Sequence, residues 1–350
     1  MPGEIRLRKG EITMANITFS ENSNVNNSIY GKSQAPIRAM IEKRAEAFEA
    51  ESIADKIFKV EKSKNWAEKF TSMTAMDGFE PVGENGAYPT DGQEEGPSKT
   101  LEHMTWKDSF SLSREIMDDA KIMDLRKKPQ GFVTAYYRTR ELFAAALLGG
   151  AISGNGTVSF RGRKFDAKGA DGQNLFYASH PAKVKGGAQS NIFSDAFSDD
   201  ALGELETKMQ NVWGENGETL DVAPDTILIP NVHSLKKAVF AAIVADKEPT
   251  TANNGFNYQF GRWNIIVWPY LNKYIDLTGT AIPWVLMDSR YNKDYGSLIW
   301  LDRVNLEVRS TLDENTDANV WRGYARFTAG FNDWRAIAVA GVDSASPLSP

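Results

Sequence analysis

The alternation of side chains across the last fifty residues constrains this chain more than any other stretch. RVNLEVRS, a turn-forming TLDENTDAN and VWRGYARFTAGFNDWRAIAVAG follow one another. Leu306 and Val308 point to one face and Asn305, Glu307 and Arg309 to the other, and Val320 to Phe327 alternates likewise, the period of half-buried strands. These residues predict a long antiparallel pair closed by a third strand. Arg303, Arg309, Arg322, Arg326 and Arg335 recur there beside Trp321, Tyr324, Phe331 and Trp334, residue types enriched where proteins meet. Nothing in the region resembles a catalytic cluster.

Upstream, residues 1 to 35 are polar, asparagine-rich and without a clear period, and read as an extended arm. From Pro36 to Val60, Ile37, Met40, Ile41, Phe48, Ile53, Ile57 and Val60 share one stripe, which predicts an amphipathic helix. Its apolar side has two open destinations, its own domain or a neighbour. Phe70 to Met117 reads as a long hairpin whose return strand sets Met104, Trp106, Phe110 and Leu112 against His103, Thr105, Lys107, Ser109 and Ser111. An isolated ribbon of that kind is only marginally stable in water, so it needs its own domain or another molecule beneath it. Pro129 is expected to open a helix of some twenty residues and Gly149-Gly150 to end it. TVSF, RGR and KFDA suggest a short hairpin, and Arg161, Arg163, Lys164, Lys168, Lys183 and Lys185 gather around it. This basic group reads better as a seat for an acidic protein loop than for nucleic acid. Beyond it the character turns α/β. Ser198 with Asp199 and Asp200 starts one helix, HSLKKAVFAAIVAD forms another, and DTILIP, RWNIIVWP, PWVLMD and SLIWL are short strands of a mixed sheet.

The segments APDTILIPN, FGRWNIIVWPYL, PWVLMDS, GSLIWLDRVNLEVRS and YARFTAGFNDWRAIAVAG, with NLFYASHP and QSN upstream, resemble in their order the major capsid proteins of tailed bacteriophages. The likeness runs over roughly residues 70 to 340 and is similar to that of Mu-like head subunits. It implies an α+β fold of the Hong Kong 97 type. Residues 1–68 would form an N-terminal arm with its amphipathic helix, 69–117 an extended hairpin loop, and 118–195 a peripheral domain with a long spine helix. Residues 196–300 would form an axial domain, and 301–350 the return strands of the peripheral domain and a tail. The resemblance also implies a subunit that joins itself into hexamers and pentamers of an icosahedral head around double-stranded DNA. That head would be assembled in the bacterial host cytoplasm with a scaffolding protein, a portal and a decoration protein. Contacts between subunits would then fall on the hairpin tip, through Glu84, Asp91, Glu94, Glu95 and Lys99, on the basic Arg161, Arg163 and Lys164, and on Arg309, Arg322 and Arg326, with Trp106, Trp321 and Trp334 as anchors. Some members weld their shells through a lysine on this loop. Lys99 stands near the tip, but no asparagine and glutamate that complete such a trio are identified, so an uncrosslinked shell is expected.

Composition narrows the rivals. Among 350 residues there is no cysteine, which removes disulfides, thiolate nucleophiles and cysteine metal sites together. A formal charge of −6 argues against tight, charge-driven nucleic-acid binding, although a shell that encloses DNA need not grip it. No apolar run approaches the ~18 residues that span a bilayer, and MPGEIRLRKGEIT lacks the apolar block of a secretory signal. Met14 is an alternative start, and the region before the hairpin is short for a built-in scaffold. His103, His180 and His233 stand far apart and outside any metal-binding spacing, and no G-x-S-x-G or P-loop occurs. Asp313, Asn315 and Asp317 mimic the opening of a calcium loop, but Ala318 and Tyr324 replace its glycine and glutamate, leaving a polar turn. No catalytic residue, metal site or cofactor is expected. The two rival readings are a host-encoded nanocompartment shell and a hydrolase working through carboxylates.

Overall fold

The computed structural model describes residues 18–21, 31–73, 81, 95–115, 122–182, 187–215, 217–244, 257–279 and 281–342. Thirteen strands are assigned among them: β1 Thr18–Glu21, β2 Lys59–Lys62, β3 Ala67–Met73, β4 Glu95–Glu102, β5 Met104–Leu112, β6 Thr157–Phe160, β7 Arg163–Asp166, β8 Thr226–Pro230, β9 Asn264–Trp268, β10 Trp284–Met287, β11 Leu298–Asp313, β12 Ala318–Phe331 and β13 Ile337–Ala340. The helices are α1 Gly31–Glu51, α2 Ala54–Ile57, α3 Ile122–Ile152, α4 Asp199–Gln210, α5 His233–Val244 and α6 Ser289–Tyr295. They divide into two compact units. The first takes Met1–Ser52, Thr105–Arg138 and Val304–Phe327, and the second Ile53–Met104, Thr139–Arg303 and Thr328–Pro350. Helix α3 and strands β11 and β12 contribute residues to both.

The main sheet has the order β1-β11-β12-β5, and β2 also pairs with β11. Both short strands run parallel to β11, β1 against Glu307–Ser310 and β2 against Ile299–Asp302. In the first unit, the inward side of this sheet meets two helices. Leu306 and Val308 of β11, Trp321 of β12 and Leu112 of β5 pack with Phe132, Val133 and Tyr137 of α3 and with Ile41 and Ala45 of α1. Phe48 stacks on Tyr137 at 5.4 Å, and the Tyr137 hydroxyl donates to Glu49 at 2.7 Å. The apolar stripe of α1 is therefore spent on its own subunit. The stripe ends earlier than its periodicity suggests: α1 stops at Glu51, and Val60 sits in β2.

The expected hairpin is built differently from its sequence pattern. Its return strand is β4, which pairs with β3 in a register setting Ala67 opposite Glu102 and Phe70 opposite Lys99. Residues 104–112 form β5, an edge strand of the main sheet, with Phe110 and Leu112 on the core. Alternation with period two marks a strand but not its partner, and only His103 separates β4 from β5. The base of the hairpin is fixed within the second unit, where Leu101 and Phe70 pack with Ile299 and Leu301.

Helix α3 begins at Ile122, two turns ahead of Pro129, which lies inside it, and continues through Gly149-Gly150 to Ile152. Its 31 residues make a rod of about 46 Å. In the second unit this helix presents two charged side chains to several elements at once. Arg140 donates to both carboxylate oxygens of Asp302, at 2.7 and 3.1 Å, and lies 4.6 Å over the Trp300 ring. One oxygen of Glu141 accepts the backbone N–H groups of Ile53 and Ala54, and the other accepts the Trp268 indole N–H at 3.0 Å.

The second sheet has the order β13-β10-β8-β9, with β8 and β9 parallel and β10 antiparallel to both β8 and β13. Helix α4 starts as its sequence indicates, the Ser198 hydroxyl accepting the Ala201 N–H at 3.0 Å. Two expectations change here. The SLIWL segment opens β11 of the main sheet, and the last strand, β13, joins the second sheet opposite Trp284–Met287 instead of returning with β11 and β12.

Candidate assembly surfaces

The first surface is the face of the main sheet turned away from the first unit's core. Along β12, Trp321, Gly323, Ala325 and Phe327 are buried, while Arg322 is exposed and Val320, Tyr324 and Arg326 are half-exposed. Lys107, Asp108, Ser109, Glu307, Arg309, Arg322, Gly323 and Tyr324 line a depression of about 820 Å³ on that face. Arg309 pairs with Glu307 at 3.3 Å, and the Lys107 ammonium stands 5.8 Å from the Tyr324 ring. Arg322 has no ion-pair partner among the described residues, and the Nε of Arg326 is buried without a hydrogen bond. Gly323 is required by close approach, because a Cβ there would collide with the Phe132 ring. Lys107, Arg309, Arg322 and Arg326 set four cations against Asp108 and Glu307 on this face. It is a basic, concave surface with Tyr324 in its lining, suited to an extended acidic segment.

The second surface is the β6–β7 hairpin. Thr157 to Phe160 pairs antiparallel with Arg163 to Asp166, and Arg161, Arg163 and Lys164 are exposed. Beside it, burial raises the Tyr274 phenol above its usual value, and the positive charge of Arg161 offsets part of that rise.

The proposed anchors lie elsewhere. Trp321 is 1% exposed and Trp334 3%, so both are core residues of the subunit. Trp334 stacks on His180 at 4.3 Å and receives the Arg335 guanidinium at 4.9 Å. Trp106 is half-buried, lies flat on Phe327 at 4.9 Å and donates its indole N–H to the Phe327 carbonyl at 3.1 Å. Burial of Trp321 and Trp334 inside their own subunit corrects the expectation that they anchor a neighbour, while the half-buried Trp106 packs on Phe327 of its own subunit. Burial inside the chain and burial at an interface select the same residue types, so composition alone does not separate them. Lys99 is also spent internally: 7% exposed, it pairs with Asp166 and donates to the Lys168 carbonyl at 2.9 Å. Glu84, Asp91 and Glu94 lie outside the described residues, and Glu95 opens β4 opposite Met73.

The histidine and carboxylate readings have plain structural counterparts. His180 is buried between Asp171, at 2.6 Å, and the Asn191 amide oxygen, at 3.1 Å. Asp313 caps its own turn, accepting the Asn315 N–H at 3.2 Å and the Thr316 hydroxyl at 2.9 Å. Burial works against the charge of the Arg335 guanidinium, but Asp333 at 3.1 Å and Glu215 at 2.9 Å enclose it and together outweigh that cost, holding it above its already high ordinary value. Among the described residues no group of acids and histidines could hold a metal, and no helix is long and apolar enough to cross a membrane.

Comparison with known proteins adds the family. No curated protein matches the sequence. Among solved structures, the capsid of the Cyanophage P-SCSP1u is similar over 83% of this chain and 87% of that one, at 10% identity and a TM-score of 0.51. At that identity the likeness is one of fold, and the fold is the α+β capsid type named after Hong Kong 97. A Mycobacterium phage Patience chain aligns over 99% and 96% at 11% identity and a TM-score of 0.49. A virus-like particle from Pyrococcus furiosus aligns over 89% and 98% at 12% identity and a TM-score of 0.43. A family model described as phage capsid protein matches residues 98–340, from the return strand of the hairpin to the last strand of the second sheet. That is well over half of the sequence, and the chain belongs to the phage capsid protein family.

Proposed function

We propose that this chain is the major head subunit of a tailed phage, closing hexamers and pentamers of itself into an icosahedral shell around double-stranded DNA. As a phage capsid protein it is a structural component of the virion that assembles with its own copies into the head shell. The observation that carries the reading is the family match over residues 98–340. The match favours the phage head over a host-encoded nanocompartment shell and over a hydrolase. In the fuller proposal, assembly proceeds in the host cytoplasm with a separate scaffold, a portal and a decoration protein.

The contacts follow from charge and shape. Residues 74–94 carry five acids and no lysine or arginine, and Glu95 adds a sixth acid. The hairpin tip with Glu84, Asp91, Glu94 and Glu95 is proposed to lie in the basic depression of an adjacent copy, against Arg309, Arg322 and Arg326. Exposed pairs of this kind contribute only ~0.2 to 1 kcal/mol each. Many of them in a closed shell suffice through multivalency. Size-exclusion chromatography with light scattering tests the reading: capsomers or particles support it, and elution as a monomer at every concentration rejects it.

A further inference from the structure

The β6–β7 turn places an arginine at a backbone position that favours other residues. Arg161 and Gly162 both lie in the left-handed region, at φ 48° and 78°, the geometry of a two-residue hairpin whose first position favours Asn, Asp or Gly. An arginine there carries a steric cost that those residues avoid. It recovers little locally, since its guanidinium stands 5.7 Å from the Phe160 ring, near the limit of a cation–π contact. Arg163 and Lys164 follow at once, exposed and without an ion pair among the described residues. The hairpin's one acid, Asp166, is already taken by Lys99.

The root of the hairpin is as firm as its tip is bare. Phe160 and Phe165 pack on Phe143 of α3 at 5.6 and 4.6 Å, whereas a Cβ built on Gly162 meets nothing within 4 Å. Three cations are thus held on a narrow convex post. A convex post buries too little area to seat a peptide, but phosphate contacts need no pocket and draw their free energy from released counterions. We propose that the β6–β7 turn is a sequence-independent contact for the phosphate backbone of duplex DNA, made by Arg161, Arg163 and Lys164. This rests on the reading of the chain as a head subunit that encloses DNA, and it gives the basic tip a role distinct from the concave face that receives protein.

The test is fluorescence anisotropy of a labelled DNA duplex of about 20 base pairs with the full-length chain, repeated over a salt series. The wild type is expected to bind with a salt slope near ~3 in magnitude, roughly 0.9 for each phosphate contact. The triple variant Arg161→Ser, Arg163→Ser, Lys164→Ser is expected to lose most of that slope and at least ~10-fold in affinity at low salt. Arg161→Asn keeps a residue suited to the turn and should lower the slope by about one. Absence of wild-type binding, or an unchanged slope in the triple variant, overturns the proposal. So does displacement of the duplex by an equimolar peptide spanning residues 74–95, which assigns the tip to protein. Particle formation followed by sedimentation separates the two levels: particles with variant-insensitive DNA binding sink this inference alone, and no particles sink the reading beneath it.

Discussion

Gly149 and Gly150 show how one residue type serves two purposes. Glycine past a helical stripe commonly ends a helix, yet here α3 continues through both. A Cβ on Gly149 would lie 2.5 Å from the Tyr274 Cβ, and one on Gly150 would overlap a Val158 methyl. They are sites of close packing, a tertiary fact that no local pattern contains. Gly150→Ala is therefore expected to destabilise the chain by about 1 to 3 kcal/mol. Gly131, on an exposed stretch of the same helix with nothing within 4 Å of its Cβ, should behave oppositely. Gly131→Ala is expected to gain about 0.5 to 1 kcal/mol. Thermal melts of the two variants check both signs. A second residue-level expectation concerns acid. The Ser63 hydroxyl and the Asn65 amide donate to Glu68 at 2.7 and 3.0 Å and hold its carboxyl below the usual range. A depressed folded value means that the contribution is present above the unfolded value of ~4.3 and is lost as pH falls through the folded one. Ser63→Ala should accordingly lower the melting temperature most near neutral pH and least below the folded value of Glu68, flattening the acid limb of the profile, and an unchanged acid limb would contradict this reading.

At the scale of elements, local chemistry was legible where it is self-contained. The Ser198 cap, the Arg161-Gly162 hairpin and the two faces of β11 all follow from neighbours in sequence. Partners at long range were not. Pro129 reads as a helix start because it lacks an N–H, but it is buried within α3, whose tertiary contacts outweigh the missing bond to Leu125. Strand β5 reads as the return of a reaching ribbon because its alternation is the same in either role. The consequence is testable through Trp106. Packed on Phe327 inside its own subunit, it supports the fold directly, and Trp106→Ala is expected to cost about 2 to 4 kcal/mol of subunit stability. A melt that is unchanged while assembly alone weakens would return Trp106 to the interface.

For the whole molecule, the charge of the chain matters less than its distribution. A protein with a formal charge of −6 gathers arginines on one sheet face and six acids within the sequence 74–95, a pattern that favours association of copies over repulsion between them. Arg322→Glu should lower particle yield, and combining it with Asp91→Lys should restore part of the loss. Sedimentation of the single and double variants reads this directly, and equal yields would remove the proposed seat. The order of segments along the chain was enough to bring out the capsid resemblance, whereas the concavity and the internal tryptophans emerge only when distant strands are set side by side. The most direct test of the central claim is negative-stain electron microscopy of the purified full-length chain as its concentration is raised. Rings of five or six subunits, or closed shells, are the expected images. A field of single small particles at every concentration would contradict the account.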